Sequence, residues 1–192
     1  WFCNLMPVLA IISGLSGVGK TWLLQRAMKT VPGQLLSASR LIEQELNRVY
    51  PEPVEHDDLR KLDIAANQGA LVAGFVRTVD PDVDLVVLDA HVVIDTPRGL
   101  EFVPKEVFAR LTPSLLIFIE DRPEAILRHR SQDGARKRPF RDVEALALQQ
   151  SQALAAARQV AKDLMVPFYT IQAGDVEGLT VLLMKQNEGG HG

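Results

Sequence analysis

The chain has 192 residues, of which 47% are hydrophobic and 23% charged, and its formal net charge is −3. These values are typical of one soluble globular domain with a real core, and they argue against a general nucleic-acid-binding protein. The one cysteine, Cys3, excludes an internal disulfide and favours a reduced, cytoplasmic protein. No apolar run reaches the roughly 18 residues that a membrane helix needs, so we expect no membrane association.

Strands and helices are predicted to alternate along the chain. In chain order, five short apolar runs predict buried parallel strands at residues 8–12, 34–38, 85–89, 114–119 and 167–171. The segments between and after them predict helices at residues 20–29, 39–49, 57–79, 105–111, 122–130, 142–164 and 176–185. Residues 96–99 are predicted to be a loop. The alternation predicts a three-layer α/β/α fold around a five-stranded parallel sheet.

The chain shows no internal repeat and no low-complexity linker, so we predict a single domain over residues 6–186. Five residues precede Met6, and either Met6 is the natural start or the chain is cut from a longer one. Residues 187–192 are rich in glycine, and we expect a flexible tail there.

Between the first strand and the first helix, residues 14–21 fit the P-loop pattern G-x-x-x-x-G-K-[ST]. Glycines let the backbone wrap so that its N–H groups point at phosphate oxygens, and the helix start adds its positive dipole end. An ordinary glycine-rich turn is the alternative, and the flanking strand and helix disfavour it. Lys20 is expected to reach the β/γ oxygens of a triphosphate. The predicted triphosphate-binding residues are Gly14, Ser16, Gly17, Val18, Gly19, Lys20 and Thr21.

Residues 128–141 form a strongly basic segment with six Lys or Arg and one acid. Because this segment follows the fourth strand and its helix, it should lie on the rim of the phosphate site. We therefore predict a lid over about residues 129–141 whose guanidinium groups neutralise charge on a transferred phosphoryl group. The alternatives are a solvated charged face and an RNA-binding patch.

Asp89 ends the third apolar strand, where the carboxyl ends of parallel strands surround a ligand crevice. A carboxylate there, together with the Thr21 hydroxyl, can hold Mg²⁺ directly or through water; the alternative is a turn or cap residue. His91 lies two residues further on and either faces the same crevice or is structural. Arg60 and Lys61 lie between the second and third strands, where an acceptor phosphate could dock; the alternative is an exposed helix turn.

Several of these segments together resemble the archaeal-type adenylate kinases, over about residues 7–183. The P-loop ends in Gly-Val-Gly-Lys-Thr as in that family, and residues 60–63 read Arg-Lys-Leu-Asp. Residues 87–91, Val-Leu-Asp-Ala-His, are similar to the family's Val-Val-Asp-Thr-His, and residues 96–99, Thr-Pro-Arg-Gly, to its Thr-Pro-Lys-Gly. Residues 113–138 are similar to its strand, helix and arginine-rich lid.

The resemblance implies an ATP:AMP phosphotransferase that uses Mg²⁺, with ATP and AMP as its partners and a P-loop NTPase-like fold. It also implies a helical region for the monophosphate, over about residues 37–80, and a short lid. By this resemblance Arg60 would hold the acceptor phosphate, and Arg128, Arg136 and Arg138 the transferred group. With the residues argued above, the predicted catalytic residues are Lys20, Asp89, Arg128, Arg136 and Arg138. The predicted acceptor-binding residues are Ser37, Arg40, Arg60, His91 and Arg98, and the predicted metal ligands are Thr21 and Asp89.

The chain departs from the family pattern at the acceptor side and in the lid. Residues 37–40, Ser-Ala-Ser-Arg, replace a Phe-Gly-Thr-type stretch, which makes Arg40 an additional cation beside the acceptor or at the surface. The lid begins Arg-His-Arg where the family has two adjacent arginines. Two alternatives to an adenylate kinase therefore stay open, a kinase of another small acceptor and a nucleotide-dependent switch or ATPase that recognises RNA.

Overall fold

The computed structural model describes residues 7–49, 64–133 and 139–189. Strands and helices alternate over most of this part of the chain. The strands are β1 (Val8–Gly14), β2 (Gln34–Ser37), β3 (Leu85–Asp89), β4 (Val93–Thr96), β5 (Gly99–Phe102), β6 (Leu115–Glu120) and β7 (Phe168–Gln172). The helices are α1 (Lys20–Ala27), α2 (Ala38–Val49), α3 (Ile64–Thr78), α4 (Lys105–Leu111), α5 (Pro123–Gln132), α6 (Val143–Asp163) and α7 (Val176–Gly189).

The main sheet has five strands in the order β2-β3-β1-β6-β7, and every neighbouring pair is parallel. This arrangement confirms the predicted parallel sheet and places β1, with the loop that follows it, at the centre. The register sets Ile12 beside Asp89 and Asp89 beside Ser37. The carboxyl ends of β1, β2 and β3 therefore meet at one edge, where a ligand crevice is expected in such sheets.

The core lies on both faces of β1, β3 and β6, whose apolar residues are almost completely buried. Helices α6 and α7 both contact β1, while α1 packs on α7 and α5 packs on α6. A strand that is covered on both faces cannot alternate between apolar and polar residues, which explains the continuous apolar runs in the sequence.

Phe118 is one of the largest fully buried side chains, on strand β6 beside Ser13. We expect Phe118→Ala to lower the free energy of unfolding by about 3–5 kcal/mol, because the truncated side chain leaves a cavity that a close-packed sheet cannot fill. Urea denaturation would measure the change. The exposed residue Phe140 serves as the control, since Phe140→Ala should change stability by less than about 0.5 kcal/mol.

Residues 96–99 were predicted to be a loop, and that prediction is wrong for part of the segment. They form the turn of an antiparallel hairpin in which Thr96 pairs with Gly99. Each strand of the hairpin has only four residues, too few for a clear alternating pattern to show in the sequence. Gly99 has φ 122°, a left-handed value that suits the tight reversal after Arg98.

Two further differences concern helix ends. Helix α7 continues to Gly189, so residues 187–189 are helical rather than part of the predicted flexible tail. The glycines of this segment begin only at Gly189, so Asn187 and Glu188 continue the helix before any glycine can end it. The predicted helix over 57–79 is described only from Ile64 onward. Among the described residues, no helix is both long and apolar enough to cross a membrane.

Candidate active site

The P-loop connects the end of β1 to the start of α1, as predicted. Gly17 and Gly19 have φ values of 89° and 93°, in the left-handed region that favours glycine. Gly14 is required for a different reason, since a Cβ there would lie 2.7 Å from the carbonyl oxygen of Ile119. The backbone conformation therefore requires glycine at positions 17 and 19, and the close approach to strand β6 requires it at position 14.

Three P-loop carbonyl groups accept hydrogen bonds from side chains of other elements. His91 Nδ1 donates to the carbonyl of Gly14 at 3.0 Å, and His129 Nδ1 donates to that of Gly17 at 3.2 Å. Arg130 Nε donates to the carbonyl of Ser16 at 2.8 Å. A carbonyl oxygen only accepts, so both imidazoles must carry their proton on Nδ1 in these bonds.

Lys20 and Asp89 form an ion pair at the head of helix α1. The side chain of Lys20 is only 6% exposed and that of Asp89 17%, so the attraction between the two charges offsets part of the cost of burying them. Asp89 reaches this position because strand β3 pairs with β1 and ends beside Ile12. The predicted strand-tip carboxylate thus lies in contact with the lysine of the P-loop.

Thr21 and Asp89 were predicted to bind a metal ion, and their oxygen donors are of the kind that Mg²⁺ prefers. Thr21 is exposed in the first turn of α1 and lines the same cleft as Asp89. Among the described residues, no group of three or more His, Cys, Asp or Glu side chains could hold a metal by itself. This donor set fits Mg²⁺ that is bound mainly by nucleotide phosphates and secondarily by the protein.

An open cleft of about 1470 Å³ runs along the carboxyl edge of the sheet. One wall is the P-loop, a second is formed by α2 and α3, and a third by the segment from Asp121 to Asp133. The predicted site residues Ser37, Arg40, Asp89, His91 and Arg128 all line this cleft, together with Lys20 and Thr21. This volume exceeds that of a typical pocket for one small ligand.

Arg98 is not brought to this cleft by the described part of the chain. It lies in the turn of the β4–β5 hairpin, is 88% exposed, and forms an ion pair with Glu101 at 3.3 Å. Its predicted role at the acceptor therefore has no geometric support here. The predicted residues Arg60, Arg136 and Arg138 lie outside the described residues, so their roles stay predictions.

Sequence reasoning missed several side chains that line the cleft, among them Trp22, Glu43, Asn67, Gln68 and Asp95. Glu43 is half-buried on α2, on the same side of the cleft as Arg40. Trp22 follows the P-loop and stacks its ring against the guanidinium of Arg26 at 4.7 Å. Of these, Glu43 offered a signal in the sequence, because it lies three residues after Arg40 on α2.

Sequence comparisons give a consistent family assignment. Residues 13–147 match the family described as "AAA domain". The chain is 33% identical to an adenylate kinase of Thermococcus kodakarensis, with 79% of each chain covered. It is 30% identical to an adenylate kinase of Pyrococcus horikoshii over 79% of each chain, and 30% identical to one of Saccharolobus solfataricus, with 68% of this chain and 72% of that one covered.

Two solved structures share the fold. A tunicamycin resistance protein of Deinococcus radiodurans superposes with a TM-score of 0.56 at 15% identity, covering 94% of this chain and 95% of that one. A shikimate kinase of Bacteroides thetaiotaomicron superposes with a TM-score of 0.53 at 16% identity, covering 94% and 98%. At these identities the likeness concerns the fold alone, and it agrees with the P-loop NTPase-like α/β architecture.

Proposed function

This chain belongs to the archaeal-type adenylate kinases and is a nucleoside monophosphate kinase, and from that premise we propose that its reaction is ATP + AMP ⇌ 2 ADP with Mg²⁺. One observation carries the proposal. The P-loop, the Lys20–Asp89 pair and two arginines, Arg40 and Arg128, line a single cleft from different sides. A phosphoryl-transfer site needs this distribution of cations around two bound phosphate groups.

In this reaction a phosphate oxygen of AMP attacks the γ-phosphorus of ATP. The bond between that phosphorus and the β,γ-bridging oxygen breaks, and the second ADP leaves. The attacking group is already an anion, so no general base is required, and the protein contributes positioning and charge neutralisation. Lys20 is the group proposed to neutralise the β/γ oxygens, since it stands at the helix start that follows the glycines.

The arginines are proposed to divide between the two substrates. Arg40 is exposed at the start of α2 and lines the cleft beside Ser37, which suits a contact with the acceptor phosphate. Arg128 lines the cleft from α5 and suits the transferred group. Arg60 on the acceptor side, and Arg136 and Arg138 in the lid, are proposed for the same two tasks by family resemblance.

We propose Mg²⁺ as the cofactor, held by ATP phosphates with Thr21 and Asp89. When bound, it would neutralise phosphate charge and fix the conformation of the triphosphate. Asp89 contacts Lys20, so an anionic and a cationic side chain lie next to each other in the site. In the proposed complex the carboxylate faces Mg²⁺ and the ammonium faces the phosphate oxygens. The two side chains can therefore orient one another as well as the ligand.

A steady-state assay tests the acceptor. ADP formation from ATP and Mg²⁺ would be measured with AMP, CMP, UMP, GMP and a set of small polyols. We expect AMP to give the highest kcat/KM, and Arg40→Ala to raise the KM for AMP about tenfold or more with little change in the KM for ATP. Equal hydrolysis of ATP with and without every acceptor would overturn the proposal.

A kinase of a hydroxyl-bearing acceptor is the second candidate, and Glu43 is the observation that favours it. A hydroxyl acceptor needs a base to take its proton, and Glu43 is a carboxylate that lines the acceptor side of the cleft. Glu43→Gln distinguishes the two. It should abolish turnover of a hydroxyl acceptor by loss of the base, whereas phosphoryl transfer to AMP should keep its kcat.

A further inference from the structure

A nearly buried carboxylate lies at the margin of the cleft, among the residues that line it. The side chain of Asp95, on hairpin strand β4, is only 4% exposed. Its Oδ2 accepts from Arg130 at 3.0 Å, and its Oδ1 accepts from Arg141 at 3.1 Å and from the amide of Gln149 at 3.0 Å. One carboxylate thus joins β4 to the end of α5, to the residues before α6 and to α6 itself.

Of these partners, Arg130 is the one that also bonds the P-loop. Its Nε donates to the carbonyl of Ser16 at 2.8 Å, while its terminal nitrogen pairs with Asp95. Its aliphatic part covers Gly17, where an added Cβ would stand 2.7 Å from Arg130 Cγ. The guanidinium therefore has its position fixed at one end by Asp95 and fixes the loop at the other.

The bond to the Ser16 carbonyl bears on phosphate binding because each peptide unit is planar. When a carbonyl is turned to one side, the N–H of the following residue is turned to the other. Arg130 and His129 hold two consecutive carbonyls, those of Ser16 and Gly17, on their own side. The N–H of Gly17, which follows the Ser16 carbonyl, is thereby kept in one orientation, as a phosphate cradle requires, while the N–H of Val18 donates to the Leu15 carbonyl within the loop.

Stability alone does not account for the pair of Asp95 and Arg130. Both side chains are at most 7% exposed, and burying two charges costs about as much as their attraction returns, so an apolar pair would serve the core equally well. A guanidinium, however, supplies the donor for a loop carbonyl that no apolar side chain can supply.

We propose that Asp95 is a positioning residue for triphosphate binding, acting through Arg130 to hold the Gly17 amide of the P-loop in its binding orientation. The inference rests on the triphosphate half of the proposed function and is independent of the acceptor. It predicts that the Asp95–Arg130 pair controls affinity for the phosphate chain itself, whatever base is attached to it.

The test uses the whole chain with inorganic tripolyphosphate and Mg²⁺ as the probe, and calorimetry as the readout. Arg130→Met keeps the unbranched cover over Gly17 and leaves Asp95 bonded to Arg141 and Gln149, so the fold should survive. The matched control is Gln149→Met, which removes a different donor from the same carboxylate but has no bond to the P-loop. Asp95→Asn, which keeps the shape of the side chain, is the second test variant.

We expect Arg130→Met and Asp95→Asn each to weaken tripolyphosphate binding about tenfold or more, and to raise the KM for ATP but not for AMP. Gln149→Met should change the affinity by less than about twofold, even where its melting temperature falls. Unchanged tripolyphosphate affinity in a folded Arg130→Met protein would overturn the inference. Absence of tripolyphosphate binding by the parent chain would instead count against the proposed function.

Discussion

Replacing Lys20 with alanine is expected to lower kcat/KM for ATP about a thousandfold. The ammonium lies at the start of α1, is 6% exposed, and is the cation that the P-loop directs at the β/γ oxygens. Its loss removes positive charge where the transition state gains negative charge, and it leaves the Asp89 carboxylate without that partner. Repulsion between this carboxylate and the triphosphate would add to the loss.

A coupled assay for ADP formation measures this effect, with calorimetry for ATP binding. Lys105 gives a matched control, since it pairs with Asp163 at 3.0 Å on the surface, far along the chain from the P-loop. The hydrogen bond that Lys105 donates to Asp163 raises the pKa of Lys105 above its usual value, so this lysine is also a paired cation. Lys105→Ala should keep kcat/KM within about twofold. A Lys20→Ala protein that binds ATP as tightly as the parent would refute the P-loop assignment.

Replacing Asp89 with asparagine is expected to lower kcat about a hundredfold and to raise the Mg²⁺ concentration required for half-maximal rate. The substitution keeps the shape of the side chain and removes its charge, so Mg²⁺ loses a carboxylate donor and Lys20 loses its counter-ion. The second effect acts on stability, because Lys20 is nearly buried and its ammonium would lose the charge attraction of Asp89.

Two measurements separate the effects of Asp89→Asn on catalysis and on stability. The reaction rate would be measured as a function of Mg²⁺ concentration, and the melting temperature by a thermal melt. Asp163→Asn is the matched control, since the hydrogen bond from Lys105 lowers the pKa of Asp163 and that pair is exposed. It should leave the Mg²⁺ dependence unchanged. If Asp89→Asn lowers the melting temperature but leaves both kcat and the Mg²⁺ dependence of the parent, Asp89 is a structural partner of Lys20 and not a metal-site residue.

The sheet and the triphosphate side of the site were predictable because their signals are local. Each strand buried on both faces is a continuous apolar run, and the P-loop joins one such run to a helix over eight residues. Asp89 could be placed beside the P-loop before the structure, because a carboxylate that ends a buried parallel strand must lie at the carboxyl edge of the sheet.

The support behind the P-loop was not predictable, because it depends on residues far apart in sequence. Asp95 contacts Arg130 and Arg141 from strand β4 of the β4–β5 hairpin, and the strands of that hairpin have too few residues to show their period. The basic segment was interpreted as cations facing the transferred phosphoryl group. Arg128 does line the cleft, but Arg130 and Arg141 turn to Asp95 instead. Charge content alone does not distinguish these two uses of an arginine.

The most direct test of the central proposal starts from ADP as the only nucleotide. The chain would be incubated with ADP and Mg²⁺, and the products followed by phosphorus NMR. Because transfer between nucleotides is reversible, the account predicts ATP and AMP in equal amounts, formed without orthophosphate and abolished by EDTA. Unchanged ADP, or release of orthophosphate without ATP, would contradict it.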